Sequence, residues 1–277
     1  MSESPSIDYA ITFACYNQVE YTRQCVDSMK KHGDDLARVV AVDNGSTDDT
    51  REYLSGLPLG GCIFNKDNLG CGVAWNQGVL AHQAEWSIVM NNDVLVSHHW
   101  IENLIGAAQR NDLKIVSPAL IEGPLDYDFD AFAEKASVEA RDALRIGDRH
   151  AVCLAVHNSV WMEIGYFRPV PKLLGYEDTL FFHEVDKAGI RTGITGASWL
   201  HHFGSITQTA MKVERGLSQK QGLPYRYNYR LLQQRWLDRK LAKRRRVKQR
   251  RQWRQGELDA YGLSLHGVRE NGTFVWR

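Results

Sequence analysis

Trp86-Ser87-Ile88-Val89-Met90-Asn91-Asn92-Asp93 is a short apolar run that stops at two amides and a carboxylate. A β-rich apolar run bounded by polar turn formers reads as a buried strand. Asn and Asp often follow strands simply as turn residues. Here they also bring a metal-binding oxygen to the end of a strand. In open α/β sheets, ligands bind in the crevice outside the carboxyl ends of the strands. A divalent cation held at such an edge can neutralise a diphosphate. Two later segments, Glu177-Asp178 and His202-Phe203-Gly204-Ser205, follow in a compatible order.

Outward from this strand, the first half alternates strands with helices. Ile7 to Cys15 reads as a strand, and Val19, Thr22, Val26 and Met29 at helical spacing mark the helix after it. Arg38 to Asp43 is a second strand, buried on both faces judging by Val39-Val40-Ala41-Val42. Ser46-Thr47-Asp48-Asp49 has the form of a capping box opening a helix. Cys62 to Asn65 is a third strand, and Asn68-Leu69-Gly70 turns into a helix carrying Val73, Gln77, Leu80 and Ala84. After Trp86 to Met90 come a helix with Trp100, Ile101, Leu104, Ile105 and Ala108, and a strand from Lys114 to Ala119. The pattern predicts an α/β domain with a mostly parallel central sheet and helices on both faces.

The second half is less regular. A helix is expected within Ala131 to Leu144, a strand at Ala151 to Ala155 and a helical turn from Ser159 to Ile164. Glu177 to Ala188 reads as a helix, entered through a bend at Gly175, and Gly193 to Leu200 as a strand. From Thr207 the chain turns helical and basic, with Tyr229, Leu232 and Trp236 on one stripe. The expected organisation is a catalytic domain over 1–206, with halves at about 1–118 and 119–206, and a helical basic extension over 207–277.

Composition is that of an ordinary globular chain, 43% hydrophobic and 24% charged over 277 residues. No run of about 18 apolar residues marks a transmembrane helix. Met1 to Asp8 lacks the basic-then-apolar pattern of a signal peptide. Cys15, Cys25, Cys62, Cys71 and Cys153 are odd in number and scattered, which favours reduced packing cysteines and a cytoplasmic location. The net charge of +1 hides an asymmetry. Ten Lys or Arg and no acid lie between Arg239 and Arg254, so the remainder carries −9. Past Leu241 the basic residues occupy every side of the projected helix. Such a helix is either solvated or laid on an anionic surface.

Five segments in order resemble family-2 glycosyltransferases of the GT-A fold, particularly the bacterial rhamnosyltransferase-like branch. They are Thr12-Phe13-Ala14-Cys15-Tyr16-Asn17, Val42-Asp43-Asn44-Gly45-Ser46-Thr47-Asp48, Asn68-Leu69-Gly70 with Asn76 and Gly78, Asn91-Asn92-Asp93, and the late pair of motifs. Asp43, ending its strand, can accept a hydrogen bond from a base N–H or a ribose hydroxyl, and the resemblance implies the base. Ala14 and Asn17 would line the same pocket, and Asn68 and Gly70 would shape its edge. Asp93 is the best metal ligand, since Mg²⁺ and Mn²⁺ prefer carboxylate oxygen. Asn91 stands where the family carries the first acid of Asp-x-Asp, and with Asn92 is expected at the donor. By resemblance His202, within His202-Phe203-Gly204-Ser205-Ile206-Thr207, is a further metal or diphosphate ligand, whereas His201 is expected to be structural. Asp178, in a first helical turn that keeps it ionised, would be the catalytic base with Glu177 in support. Leu180 departs from the family, where another Asp is common.

The expected activity is inverting, metal-dependent transfer of a sugar from a nucleoside diphosphate, UDP or dTDP ahead of GDP, to a glycan or lipid-linked acceptor. Mn²⁺ or Mg²⁺ is the expected cofactor. The basic segment points to an anionic membrane surface rather than nucleic acid. A nucleotidyltransferase is the first rival, but Tyr16-Asn17-Gln18-Val19-Glu20 offers neither Gly nor Lys to hold a triphosphate. A nucleic-acid-binding protein and a catalytically dead scaffold are the others.

Overall fold

The computed structural model describes residues 7–169, 177–214, 216 and 236–277. The chain runs from β1 (Tyr9–Cys15) through α1 (Val19–His32), β2 (Val39–Asp43), α2 (Thr50–Ser55) and β3 (Gly61–Phe64) to α3 (Cys71–Ala81) and β4 (Trp86–Asn91). Next come β5 (Val94–Val96), α4 (Trp100–Arg110), β6 (Ile115–Glu122), α5 (Phe129–Glu139), β7 (Leu144–Ile146), β8 (Cys153–His157) and α6 (Asn158–Ile164). The described remainder comprises α7 (Glu177–Ala188), β9 (Thr192–His202), α8 (Ile206–Glu214), α9 (Trp236–Tyr261), β10 (His266–Glu270) and β11 (Thr273–Trp276).

These strands form one sheet with main path β11-β10-β6-β8-β4-β1-β2-β3, and β9 lies against β6 while pairing β5 and β7. The stretch β3-β2-β1-β4 is parallel throughout, as the alternation of strands and helices predicts. Every residue of β2 is buried, because α1 covers one face and α3 the other. Cys25, Val26 and Met29 of α1 pack with Ile11, Phe13, Val39 and Ala41. Ala74 of α3 packs with Val40 and Val42 on the opposite face. Each such Val, Leu or Ile removed from water contributes roughly 1.5–3 kcal/mol. The second cover sits unusually close. A Cβ on Gly78 of α3 would stand 1.8 Å from Thr12 Oγ1, so no larger residue fits there.

Beyond β4 the parallel pattern gives way to a mixed one. β8 is antiparallel to β4 and β6, and β5 and β7 are antiparallel to β9. Only Asn92 and Asp93 separate β4 from β5, whereas a parallel neighbour requires a crossover of a dozen residues or more. β5 therefore turns out of the parallel set and pairs with β9. The segment expected as a helical basic extension also holds strands. α8 and α9 are helices, but residues 266–276 return as β10, parallel to β6, and β11. Short strands stabilised by partners far away in sequence leave little local signal.

The return is locked by Arg145, which is 1% exposed. Its Nε and Nη2 donate to Glu257 Oε1 and Oε2 at 2.7 and 2.8 Å, and Nη2 also donates to Ser264 Oγ at 2.7 Å. Of the stripe expected to pack from the tail, Tyr229 and Leu232 lie outside the described residues, as does Gly175 before α7. No described helix is long and apolar enough to cross a membrane.

Candidate active site

Parallel pairing brings three candidate residues to one sheet edge. Ala14 is opposite Asn91 of β4, and its neighbour Cys15 is opposite Asp43 of β2. Beyond β1 the backbone turns sharply, with Asn17 and Gln18 left-handed at φ 53° and 60°. Such a conformation costs a non-glycine residue on the order of 1–3 kcal/mol and is kept where surrounding contacts impose it. Asn17 has those contacts. Its N–H donates to Ser46 Oγ at 2.7 Å, its Oδ1 accepts from Thr47 N at 2.8 Å, and its Nδ2 donates to Glu214 Oε1 at 3.1 Å.

The capping box expected at Ser46 is replaced by a different arrangement, because Ser46 Oγ is already engaged by Asn17. The helix begins later, at Thr50. The N-cap is Asp49, whose side chain makes no cap hydrogen bond, and Asp48 before it accepts from Thr50 N at 3.1 Å and from Val19 N, at the start of α1, at 3.1 Å. Asp43 is fully buried. Its oxygens accept from Ser46 N at 3.2 and 3.3 Å and from Arg51 Nε at 2.7 Å. In this arrangement the carboxylate holds the loop that walls the crevice. Asn44, which sequence reasoning passed over, has a comparable duty. Its side chain donates to Asn68 Oδ1 at 3.0 Å and accepts from Leu69 N at 3.0 Å. Asn68 Oδ1 also accepts from Gly70 N at 3.0 Å, and Gly70 at φ +93° precedes α3.

The first turn of α3 is where the late motif arrives. A Cβ on Gly72 would lie 2.9 Å from Glu177 Cβ and 3.1 Å from Phe167 Cβ, so α7 starts directly against α3. Asn76 fastens the same corner, exchanging hydrogen bonds with Phe167 O at 2.7 Å and Phe167 N at 3.1 Å. Glu177 is buried and Asp178 is half-buried. Asp178 Oδ1 accepts from Thr179 N at 2.7 Å. Burial pushes the pKa of the Cys71 thiol well up, and the negative charges of Glu177, Asp93 and Asp178 push it further.

Asp93 and His202 meet across β5 and β9. Val94 pairs with His202, and Phe203 N donates to Asp93 O at 3.1 Å. Both side chains are buried, with His202 Nε2 3.3 Å from Asp93 Oδ1 and 3.4 Å from Asn91 Nδ2. His202 Nδ1 stands 3.2 Å from Glu122 Oε1, and Glu122 Oε2 stands 2.9 Å from His266 Nε2. Burial alone would lower the His202 pKa, but the hydrogen bonds to Asp93 and Glu122 outweigh it and carry the value up to about 9. The same hydrogen bonds, from His202 and then His266, hold the Glu122 carboxyl well below the usual range.

Among the described residues, no three His, Cys, Asp or Glu side chains are placed to hold a metal by themselves. The donor chemistry nevertheless fits a cation completed by a ligand. With a cation taking the place of the Nε2 proton, His202 would keep its Nδ1 proton toward Glu122 and turn Nε2 to the cation beside the Asp93 carboxylate, an orientation common among metal-binding histidines. Asn92 does not join them. Its Nδ2 donates to Thr22 Oγ1 of α1 at 2.9 Å, so it is engaged away from the other donors. His201 alternates to the other face, where its Nδ1 meets Tyr127 OH at 3.0 Å and burial lowers its pKa to about 4. Glu122 and His266 had escaped sequence reasoning. Glu122 could have been noticed as an acid ending an apolar strand before Gly123, whereas His266 carries no local signal.

A chain with a parallel sheet edge, an Asp93–His202 pair and an acidic helix start invites comparison with known proteins. An uncharacterized glycosyltransferase of Rickettsia typhi is 29% identical over 107 residues, covering 39% of this chain and 34% of the relative. The chain spans about a third of the length of the curated relatives it matches. Among solved structures, GalNAc-T7 with UDP, GalNAc and Mn²⁺ superposes with a TM-score of 0.57 at 13% identity, covering 72% of this chain and 44% of that one. The mannosyltransferase PcManGT of Pyrobaculum calidifontis, with GDP-Man and Mn²⁺, gives 0.53 at 16% identity, covering 76% and 61%. The fold is GT-A. Because residues 11–169, more than half of the chain, match the model of glycosyl transferase family 2, the protein belongs to that family.

Proposed function

We propose that this protein is an inverting, metal-dependent glycosyltransferase that moves a sugar from a nucleoside diphosphate to a hydroxyl of a glycan or lipid-linked acceptor, in surface polysaccharide assembly. The rhamnosyltransferase-like branch belongs to the same proposal. The observation that carries it is the pairing of Asp93 with His202, whose Oδ1 and Nε2 lie 3.3 Å apart beside Asn91 at the sheet edge, while Glu177 opens α7 against Gly72 of α3. Asp43, Asn17 and the Asn68–Gly70 turn form the nucleotide side. Asp93 and His202 would hold Mn²⁺ or Mg²⁺ at the diphosphate end of the donor. When bound, the cation neutralises the charge that develops on the departing diphosphate. Asp178 takes the proton of the acceptor hydroxyl as its oxygen bonds to the anomeric carbon opposite the leaving group. The bond from that carbon to the diphosphate oxygen breaks, its electron pair leaving with the nucleoside diphosphate. Glu177 fixes the start of α7 and with it the position of Asp178. That both structural neighbours carry Mn²⁺ with a nucleotide or a nucleotide sugar supports this reading.

Thermal shifts with UDP, dTDP and GDP, each with and without Mn²⁺, identify the nucleotide, since a ligand of the native state raises stability by mass action. UDP or dTDP with Mn²⁺ is the expected pair. Asp93→Ala should abolish transfer and the Mn²⁺-dependent shift without altering far-UV circular dichroism. Full activity of that variant in EDTA would overturn the metal-dependent mechanism.

The same proposal places the enzyme at an anionic membrane. Arg244, Arg245, Arg246, Lys248, Arg250 and Arg251 are all exposed along α9. Its inner anchor lies nearer the other end, where Glu257 meets Arg145. Reversing the charge of Arg244, Arg245 and Arg246 should reduce sedimentation with anionic liposomes and leave donor hydrolysis intact. Wild-type liposome binding by that variant would make the helix a solvated arm, and salt-sensitive RNA binding would favour nucleic acid.

A further inference from the structure

The parallel strands β9 and β6 end side by side, β10 begins beside the last residues of β6, and each of the three contributes one member to an unbroken chain of side chains. Glu122 closes β6, with His202 of β9 opposite it and His266 of β10 two positions before the residue that pairs it. Two features of the fold are needed for this alignment. The first is a bulge in β9. Pro118 pairs with Thr195, but Ala119 pairs with Trp199, so three extra residues are accommodated on β9. Without them Glu122 would lie opposite Trp199, not His202. A proline in β6 at that point is compatible with a bulge, where a ladder hydrogen bond is dispensable. The Trp199 ring secures the bulge by donating from Nε1 to Gly196 O at 2.8 Å.

The second feature is the clamp on the returning chain. Leu265 N donates to Glu257 Oε2 at 2.9 Å, and Leu120 N donates to Leu265 O at 3.0 Å. The residue immediately before His266 is therefore tied both to the Arg145–Glu257 pair and to β6. Those contacts deliver the His266 ring to Glu122 at 2.9 Å, which leaves the other carboxylate oxygen for His202. His266 lies far outside the segment matched by the family model, residues 11–169.

We propose that Glu122 and His266 are positioning residues of the cation site: Glu122 orients His202 and fixes which ring nitrogen is bare, and His266 orients Glu122. The inference rests on the cation reading given above. It makes the C-terminal hairpin part of the active site, not only an edge of the sheet. A merely structural role for the pair would affect folding without touching cation affinity.

Mn²⁺ binding in the presence of UDP, followed by the loss of the free-Mn²⁺ electron paramagnetic resonance signal, tests the proposal without relying on activity. Glu122→Gln should weaken Mn²⁺ binding roughly 10–100-fold, the usual penalty for losing a carboxylate behind a ligand histidine. His266→Ala should cause a smaller loss, and the double variant no more than Glu122→Gln alone. UDP binding without metal should be unchanged in all three. Wild-type Mn²⁺ affinity in folded Glu122→Gln, or losses that add in full in the double variant, would overturn the proposal while sparing the cation reading. Absence of Mn²⁺ binding by the wild type would overturn both. If the variants do not fold, ¹⁵N-histidine spectra of the wild type with Mg²⁺ and UDP decide. His202 should carry its proton on Nδ1, and a proton on Nε2 would refute the relay.

Discussion

The two halves of the sheet are built from different kinds of contact. From β3 to β4 the strands lie parallel, paired residues stand 21 to 77 positions apart, and helices α1 and α3 seal the two faces. From β5 onward the decisive contacts join distant residues, 112 apart for Arg145 with Glu257 and 144 apart for Glu122 with His266. The first half supplies the loops proposed to hold the nucleotide. The second supplies most of the ionisable groups proposed for chemistry, with Asp93 at the seam. Non-local contacts cost more chain entropy to form, yet only they can bring several titratable groups to one point.

The sharpest way to separate the halves is to remove one group from each. Asp178→Asn preserves shape but removes the proton acceptor, so turnover should fall 10²–10⁴-fold, with donor affinity measured by calorimetry nearly unchanged. Asp43→Ala should instead weaken the donor. If Asp178→Asn turns over normally and Glu177→Gln is inactive, the two acids exchange roles.

Stability should divide along the same line. Arg145→Met leaves the buried Glu257 carboxylate without its cation, a loss on the order of 3–5 kcal/mol measurable by urea unfolding. Arg145→Met combined with Glu257→Leu should recover much of it. Equal losses in single and double variants would show that the guanidinium's other contacts, to Ser264 and the main-chain oxygen of Arg277, dominate.

Acid should strike the second half through His150. Its Nε2–H donates to Pro118 O at 2.8 Å, beside the β9 bulge, while its buried Nδ1 has no hydrogen-bond partner among the described residues. Burial lowers its pKa from 6.5 to about 4. The unfolded chain thus takes up the proton first, and stability present above pH 6.5 is lost as pH falls toward 4. The full loss approaches about 3 kcal/mol. Denaturation at pH 7 and pH 4.5 should show the difference, and His150→Leu should reduce it.

The smallest expected effect lies in the first half. Gly78→Ala forces α3 away from Thr12, an overpacking cost of roughly 1–3 kcal/mol. An unchanged melting temperature would mean that α3 can shift freely on the sheet.

Legibility in the sequence followed the range of the interactions. β1, β2 and β4 were readable because their apolar runs are continuous and their helices carry periodic apolar faces. Glu177 to Ala188 was readable as a helix, with bounds that match α7. β5 and β7 have three residues each, too few for any pattern, and β10 reads His266-Gly267-Val268-Arg269-Glu270 without alternation. Ser46 was mistaken for a cap because its neighbours suit one, while its hydroxyl is taken by Asn17 from another loop.

By itself the sequence determined the α/β class, the ends of β1 and β2 at Cys15 and Asp43, the polar run that closes β4, and the acidic start of α7. Each depends on neighbours within a few residues, through periodicity, turn chemistry and the helix dipole. Only the tertiary structure decided that Asn92 turns to Thr22, that Asp43 is engaged by Arg51, and that Glu122 stands between His202 and His266. Those outcomes depend on strand register, on a three-residue bulge and on a buried ion pair that returns the chain's end to the sheet. A register is set by how the whole core packs, and no local window of residues contains it.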